Sequence, residues 1–361
     1  MLELFDGDYA QMISTSFGQH RCHLSDIMDT AWGRIGVIIL PCLSGNLYRD
    51  QDGLVQDVID ALYMAKQIGA KAVSLTGLIP SATAYGKAVL QAIAHGSDLP
   101  SITTGHGTTS AAVVLNIARI LQESGRHLEK EQVGFVGLGS IGLTTLRLML
   151  HSLPHPQKIL LCDVYAKAEF LQQVELELVS EFGFQGEIQI TLAKATLPAE
   201  IYSSTLIVGA TNVPDVLDIA RVQPGTLIVD DSGPHCFSVP LAIERFERQA
   251  DILFTEGGVM QSPNPFKYTI HYPPQLAQRL SLTEIFGDTF ADSTSITGCV
   301  FSSLLSASFG LPSTTGIIKA SETIQHYKLL SELGFEGSQL HCEGYVLAQE
   351  AIEKFRNLRK R

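Results

Sequence analysis

The clearest chemical signal in this sequence is the segment Gly137-Leu138-Gly139-Ser140-Ile141-Gly142, in which glycines recur with the spacing GxGxxG. An apolar run at 133–136 precedes it, a helix-like stretch at 143–150 follows it, and a second apolar run at 158–162 leads to Asp163. Strand, glycine turn, helix, strand and acid occur here in the order that a dinucleotide site requires. We expect the helix N-terminus to bind a pyrophosphate and Asp163 to bind a ribose diol. The alternative is a glycine turn that only packs a helix against a sheet.

Further cofactor contacts are expected where later strands end. Residues 127–262 alternate strand-like and helix-like segments, with additional strand candidates at 187–190, 205–208, 226–229 and 251–254. This alternation predicts a parallel, doubly wound sheet, and ligands of such sheets bind at the carboxyl ends of the strands. The predicted cofactor contacts are Gly137, Gly139, Ser140, Ile141, Gly142, Asp163, Ala210, Thr211, Asn212, Ser232, Gly233 and Gly258.

Cys299 is the leading candidate for a catalytic nucleophile. It follows the run Asp-Ser-Thr-Ser at 292–295, whose residue types favour a helix N-cap. In an early helical turn, the helix dipole would lower the pKa of the thiol and favour the reactive thiolate. The neighbours Val300, Phe301 and Leu304 are apolar, however, and a cysteine in such surroundings is more often a core residue. The residues alone leave both interpretations open.

Two further side chains could act near Cys299 in an active site. His106 and Thr104 belong to a predicted polar loop at 101–109, and a histidine between two glycines can act as an acid or a base. An ordinary surface histidine is an equally good interpretation. His235 could reach a nicotinamide or be a simple turn residue. The pair Asp230-Asp231 is expected to cap a turn rather than to catalyse.

Composition limits the class of protein. The chain has 361 residues, of which 45% are hydrophobic and 17% charged, which predicts a globular protein large enough for two domains. The net charge of -12 argues against binding to nucleic acid or to an anionic membrane surface. No apolar run is long enough to span a bilayer and the N-terminus lacks a signal-peptide pattern, so we expect a cytoplasmic protein. The cysteines show no CxxC or zinc-like spacing, so free thiols and no metal site are expected.

The mid-chain position of the glycine turn predicts the domain organisation. Residues 1–126 show mixed strand and helix patterns, with strands at 36–40 and 71–75, and residues from 263 onward are mainly helical in pattern. We therefore predict an α/β fold in which a doubly wound, parallel Rossmann domain (127–262) is inserted between the two parts (1–126 and 263–361) of a second, mixed α/β substrate domain. The active site is expected between the two domains.

Five short segments, at 74–78, 103–105, 136–142, 257–259 and 298–301, together resemble the aldehyde-forming fatty acyl-[acyl-carrier-protein] reductases. The resemblance implies that Cys299 attacks an acyl thioester, that NADH or NADPH reduces the acyl-enzyme, and that an aldehyde is released. In that chemistry, backbone N–H groups of the loop at 104–105 or of the loop at 257–258 could stabilise the oxyanion. The implied partners are an acyl carrier protein or coenzyme A that presents the acyl group, and a downstream enzyme that consumes the aldehyde.

Two features depart from that family. The family carries an arginine after its second strand and prefers NADPH, whereas this chain has Asp163 there, with Lys167 nearby. Because a carboxylate repels a 2′-phosphate and binds a free 2′-hydroxyl, NADH is the predicted cofactor. The family's histidine also lies two places later than His106. The alternative function is a non-covalent, NAD-dependent dehydrogenase of a small hydroxy, amino or imino acid, in which Cys299 is a core residue, and a third is a nucleotide-binding regulatory protein without turnover.

Overall fold

The computed structural model describes residues 7–17, 22–42, 46–93, 98–194, 196–270 and 293–358. The α-helices in these residues are α1 Tyr9–Phe17, α2 Gln51–Gln67, α3 Ile79–Ala82, α4 Lys87–Ala92, α5 His106–Ser124, α6 Ser140–Ser152, α7 Ala168–Ser180, α8 Val239–Gln249, α9 Gly298–Phe309, α10 Ala320–Glu332 and α11 Gln349–Leu358. The strands are β1 His23–Thr30, β2 Gly33–Ile39, β3 Ala72–Ser74, β4 Ser101–Thr103, β5 Gln132–Val136, β6 Lys158–Val164, β7 Glu187–Ala193, β8 Leu206–Gly209, β9 Leu227–Asp230, β10 Leu253–Glu256, β11 Val259–Gln261, β12 Lys267–Ile270, β13 Ser295–Thr297, β14 Glu336–Gly337, β15 His341–Cys342 and β16 Tyr345–Val346.

The chain forms two compact units. Unit 1 comprises Met1–Gly105, Asn264–Ser295 and Cys299–Ile317, and unit 2 comprises His106–Pro263, Ile296–Gly298 and Ile318–Arg361. Helix α5 and most of the residues after 318 thus group with the dinucleotide sheet. The predicted domain bounds at 127 and 262, and the insertion of one domain in the other, stay predictions.

Unit 2 contains a six-stranded sheet in the order β10-β9-β8-β5-β6-β7. All five neighbouring pairs are parallel. Counted along the chain from β5, this is the order 3-2-1-4-5-6 of a doubly wound dinucleotide domain. Strands β8 and β9 are buried at every position, as expected of central parallel strands that are covered on both faces. The predicted parallel, Rossmann-like α/β sheet is therefore confirmed.

Helix α5 lies at the centre of unit 2, where it packs against α6, α10, β11 and β14. Fifteen of its residues are buried, from His106 to Ser124. The expected polar loop at 101–109 is therefore wrong, because Ser101–Thr103 pairs as β4 with β3 and the helix begins at His106. The turn between them uses Gly105, whose φ of +73° lies in the left-handed region.

Unit 1 has an antiparallel sheet, β12-β1-β2, and the parallel pair β3-β4. Helix α2 begins at Gln51 because the Asp50 side chain caps it by accepting a hydrogen bond from the Gly53 N–H. Its apolar face forms a core with β3, α4 and β4; the buried members are Leu47, Leu54, Val58, Leu62, Leu75, Ala82, Val89 and Ile102. The predicted helix at 86–95 ends at Ala92, and residues 94–97 lie outside the described residues.

The search for membrane-crossing segments gave none: within the described ranges, every helix is too short or too polar for that role.

Candidate dinucleotide site

The glycine turn lies at the carboxyl end of β5, between that strand and α6. Gly137 has a φ of +89°, and a Cβ atom there would lie 2.5 Å from the carbonyl oxygen of Ala210. A Cβ atom at Gly142 would overlap the carbonyl oxygen of Gly137. Helix α6 begins at Ser140 with Gly139 as its N-cap, so no side chain caps its first N–H groups. The first N–H groups of α6 could therefore bind a phosphate at the positive end of the helix dipole.

Asp163 lies in β6 and points toward this turn. Its Oδ2 accepts hydrogen bonds from the Leu138 N–H and from Nζ of Lys167, both at 2.7 Å. Its Oδ1 accepts one from the Val164 N–H, also at 2.7 Å. The carboxylate is buried at the edge where the ribose of a dinucleotide would lie. The structure thus brings together the predicted turn and the predicted acid.

The loops after β8 and β9 are tied to each other. The Thr211 N–H donates to Oγ of Ser232 at 3.0 Å, and the Gly233 N–H donates to the Thr211 carbonyl at 3.2 Å. Because Ala210 contacts Gly137, the loop after β8 also borders the glycine turn. Asn212 is exposed. The predicted contacts at 210–212 and 232–233 therefore share one rim with residues 137–142, as parallel topology requires.

His106 is a buried residue at the start of α5. Its Nδ1 is hydrogen-bonded to Oγ of Ser140, the first residue of α6, at 2.9 Å. Burial lowers the pKa of His106 to about 4, so its imidazole is neutral near pH 7. The histidine is therefore placed at the phosphate end of the candidate site. Its catalytic role stays a prediction.

Asp231 is a candidate that the sequence analysis set aside. It follows β9, and its carboxyl group lies over Gly258: a Cβ atom on that glycine would overlap Oδ1 of Asp231. Burial raises the pKa of Asp231 well above its ordinary value, and the charges of Asp230 and Glu256 raise it further. Burial and these charges thus favour the neutral form of the Asp231 carboxyl group, which lies on the rim where β9 ends. In the sequence, the signal that could have identified Asp231 was a pair of consecutive acids at a strand end, directly before Ser232-Gly233.

His235 does not extend freely from its turn. Its Nδ1 lies 2.9 Å from Oδ2 of Asp230, and its Nε2 lies 3.6 Å from Sγ of Cys342. The hydrogen bond to Asp230, and then that to Cys342, raises the pKa of His235 to about 11. Burial raises the pKa of Asp230, but the hydrogen bonds from His235, Ser232 and Cys236 lower it by more. The pKa of Asp230 is therefore below its ordinary value.

Cys299 and Thr104 belong to unit 1. Helix α9 begins at Gly298, so Cys299 lies in its first turn. The expected N-cap run at 292–295 does not cap this helix: Ser295 begins the strand β13, and residue 292 lies outside the described residues. A Cβ atom at Gly105 would lie 2.7 Å from Cα of Cys299, so this backbone approach requires glycine. Thr104 is buried, and its N–H donates to the Thr314 carbonyl at 2.9 Å. The catalytic roles of both residues stay predictions.

A cavity of about 170 Å³ lies inside unit 1, between α9, α2 and β2. The face of α9 that borders it carries Val300, Ser303, Leu304 and Ala307. Ser303 and Ala307, the small side chains of this face, therefore border the cavity.

Comparison with known proteins gives distant similarities. No protein-family model matches the chain. The aminotransferase PigE of Serratia sp. (strain ATCC 39006) is 27% identical over 235 residues, which cover 64% of this chain and 25% of PigE. The chain thus spans about a quarter of the length of the curated relative that it matches.

Three solved structures show low similarity. The L-tryptophan dehydrogenase from Nostoc punctiforme is 13% identical with a TM-score of 0.37, covering 90% of this chain and 74% of its own. The Thermococcus litoralis Delta(1)-pyrroline-2-carboxylate reductase, in complex with NADH and L-proline, is 18% identical with a TM-score of 0.27, covering 35% and 37%. A probable ornithine cyclodeaminase from Bordetella pertussis Tohama I is 21% identical with a TM-score of 0.26, covering 34% and 35%. The predicted nicotinamide cofactor agrees with the NADH bound by the reductase. At these TM-scores, the likeness carries no conclusion about this chain's activity.

These findings overturn the expected resemblance to the fatty acyl-[acyl-carrier-protein] reductases. The similar proteins include an aminotransferase, an amino acid dehydrogenase, an imino acid reductase and a cyclodeaminase. The segments that carried the resemblance are short, and several are glycine turns of a kind that dinucleotide domains of unrelated function share. The carrier-protein and aldehyde-consuming partners rested on that resemblance alone and stay untested predictions.

Proposed function

We propose that this chain is a nicotinamide-dependent oxidoreductase that acts on a small amino or imino acid without a covalent enzyme intermediate. The observation that carries the proposal is the position of the Asp231 carboxyl group, which follows β9 and lies over Gly258 on the rim of the dinucleotide sheet. A reduced nicotinamide bound at this rim supplies hydride to the substrate carbon. Reduction of a C=N bond also needs an acid beside the nitrogen, and oxidation of an amine needs a base there.

The strand order supports this placement of Asp231. Asp163, in the second strand of the sheet, marks the adenosine half of the site, because an acid there binds the ribose hydroxyls. The nicotinamide half then lies where β8, β9 and β10 end. Asp231 follows β9, beside Gly257 and Gly258, which follow β10. We therefore place the Asp231 carboxyl group on the half of the rim where hydride transfer would take place.

The fit of the cofactor rests on the backbone of the turn. A Cβ atom at Gly137 or Gly142 would clash with neighbouring backbone, so the tight turn requires glycine at both positions. The first N–H groups of α6 have no side-chain cap and could bind the phosphates. Asp163 adds preference for NADH over NADPH, because its negative charge repels a 2′-phosphate.

The test separates cofactor binding from turnover. NADH binding is measured by fluorescence titration, and NADH consumption is measured with a panel of small cyclic imino acids and of 2-oxo acids with ammonia. We expect Asp231→Asn to change the Kd for NADH less than about twofold and to lower kcat about 10²–10⁴-fold, as loss of a general acid does. Asp215→Asn, at an exposed acid of the preceding loop, is the matched control and keeps full activity.

The fate of Cys299 distinguishes this function from covalent catalysis. Cys299→Ala is expected to keep kcat within about threefold, since no bond forms between enzyme and substrate in this proposal. Full activity of Asp231→Asn, or no turnover of any amino or imino acid, would overturn the proposal. Absence of NADH and NADPH binding would favour a protein without turnover.

A further inference from the structure

We propose that unit 2 contains a zinc site formed by His235, Glu256 and Cys342. The Nε2 of His235 lies 3.6 Å from Sγ of Cys342 and 3.9 Å from Oε1 of Glu256. One ligand atom from each of the three residues lies within 4.8 Å of the other two. Each residue comes from a different element: the turn after β9, the end of β10 and the strand β15.

The distance between Sγ of Cys342 and Nε2 of His235 matches what a tetrahedral zinc ion requires. With Zn–S of about 2.3 Å and Zn–N of about 2.0–2.1 Å, a tetrahedral angle separates sulfur and nitrogen by about 3.6 Å. A thiolate and an imidazole are the ligand types that favour zinc over calcium or magnesium. Cys342 is completely buried, so its sulfur faces these partners and not solvent.

The imidazole of His235 is oriented as a metal ligand. Its Nδ1 is bound to Oδ2 of Asp230 at 2.9 Å, which leaves Nε2 directed at Cys342 and Glu256. Asp230 is itself fixed, because it also accepts a hydrogen bond from the Cys236 N–H at 3.1 Å. A buried carboxylate behind the ligating histidine is the arrangement that surrounds most histidine-bound metals. Without metal, the Nε2 proton occupies the place between the three side chains that the ion would take.

His341 lies next to Glu256 but outside the group of three residues whose ligand atoms are close to one another. Its Nδ1 lies 2.8 Å from the Gln339 carbonyl oxygen, and its Nε2 lies 3.7 Å from Oε2 of Glu256. Three protein ligands leave the fourth position of a tetrahedral zinc ion open to a water molecule or a substrate.

The ion would hold the β15–β16 hairpin to the sheet. The hairpin already contacts β10 through hydrogen bonds from the His341 N–H to the Thr255 hydroxyl (3.3 Å) and from the Glu343 N–H to Oε1 of Glu256 (2.6 Å). A zinc ion bound by Cys342, His235 and Glu256 would link the hairpin to the sheet. Because no such site exists in the unfolded chain, zinc binding would stabilise the folded state.

The experiment uses the full chain, freed of metal with a chelator and then titrated with Zn²⁺ or Co²⁺. We expect one metal ion per chain, a thiolate-to-cobalt charge-transfer band, and a higher Tm with zinc. Cys342→Ser should abolish the charge-transfer band and lower zinc affinity at least about 100-fold, while Asp230→Asn should lower it about 10–100-fold. Cys162→Ser, at a buried thiol of β6 in the same unit, is the matched control and keeps the wild-type affinity.

Two results would overturn the site. One is wild-type protein that binds neither ion, and the other is a Cys342→Ser variant that keeps the charge-transfer band. If Cys342→Ser does not fold, His235→Gln and the zinc dependence of the wild-type Tm provide the same decision. NADH binding is measured in parallel, so that failure of the zinc site and failure of the dinucleotide site are distinguished.

Discussion

The backbone N–H of Leu138 donates a hydrogen bond of 2.7 Å to Oδ2 of Asp163, and this bond joins the glycine turn to the second strand of the sheet. The same oxygen accepts a hydrogen bond from Nζ of Lys167 at 2.7 Å. Asp163 therefore shapes the turn, and its charge is partly balanced by a nearby ammonium group. Removal of the carboxylate would leave Lys167 beside the position of a 2′-phosphate.

The first prediction concerns cofactor choice. Asp163→Ala removes the carboxylate that repels a 2′-phosphate and leaves Lys167 to attract one. We expect the ratio of the Kd for NADPH to that for NADH to fall at least about tenfold, equivalent to about 1.4 kcal/mol. Fluorescence titration with both cofactors measures it. Glu169→Ala, at an exposed acid of α7, is the control and should leave the ratio unchanged. A wild-type protein that already prefers NADPH would contradict this role of Asp163.

The second prediction concerns the turn itself. Gly137→Ala combines a left-handed backbone with a clash against Ala210, whereas Gly183 has a φ of +63° and open space around its Cα. Gly183→Ala should therefore cost only about 1–2 kcal/mol of unfolding free energy, the strain of an alanine at positive φ. Gly137→Ala should cost more and should also weaken NADH binding at least about tenfold, because the turn must shift away from the phosphate. Urea unfolding and NADH titration measure the two effects. Equal results for the two variants would show that the contact with Ala210 is unimportant.

Local sequence pattern predicted the dinucleotide sheet well. All six strands of that sheet were expected from apolar runs, and the turn was found because its glycines are adjacent in sequence. The pattern failed at 101–109, where polar residues were taken for a loop. There Thr108 and Ser110 are buried, because α5 lies inside unit 2 and satisfies polar groups through neighbours such as His326. Tertiary burial of a polar helix face cannot be inferred from periodicity.

The candidate site was predictable only where its residues are close in sequence. Asp231 was expected only to cap a turn. Its burial and the charge of Glu256, which raise its pKa, depend on residues far away in the chain and do not show in the local sequence. The absence of CxxC or clustered histidines argued against a metal, yet His235, Glu256 and Cys342 converge because the parallel sheet and the β15–β16 hairpin place their ends together. Such a set has no spacing that a sequence search could recognise.

The third prediction concerns pH. Burial lowers the pKa of His106 and of His326 to about 4, whereas an unfolded histidine titrates near about 6.5. As the pH falls through this interval, the histidines bind protons in the unfolded chain but stay neutral in the folded chain. Each histidine should therefore lower the unfolding free energy by up to about 1.4 kcal/mol per pH unit between about pH 6.5 and 4.

Substitution of one of these histidines isolates its contribution. Urea unfolding across this pH range should give a shallower decline for His326→Gln than for the wild type, since glutamine does not titrate. His151→Gln, at an exposed position of α6, is the control and should keep the wild-type slope. An unchanged slope for His326→Gln would mean that His326 is protonated in the folded protein.

The last prediction concerns the buried ion pair between Arg126 and Glu131, whose side chains are 6% and 1% exposed. Nε of Arg126 donates to Oε1 of Glu131 at 2.8 Å, and the arginine also donates to the carbonyls of Thr205 and Gly225. Glu131→Gln should lower the unfolding free energy by about 3–5 kcal/mol, because it leaves a buried guanidinium without its counter-charge. Glu244→Gln breaks the exposed pair with Arg248 and should cost less than about 1 kcal/mol. The double variant Arg126→Met/Glu131→Gln should cost less than the sum of its single variants, because the uncompensated charge is then gone. Additive costs in urea unfolding would show that the two side chains are not energetically coupled.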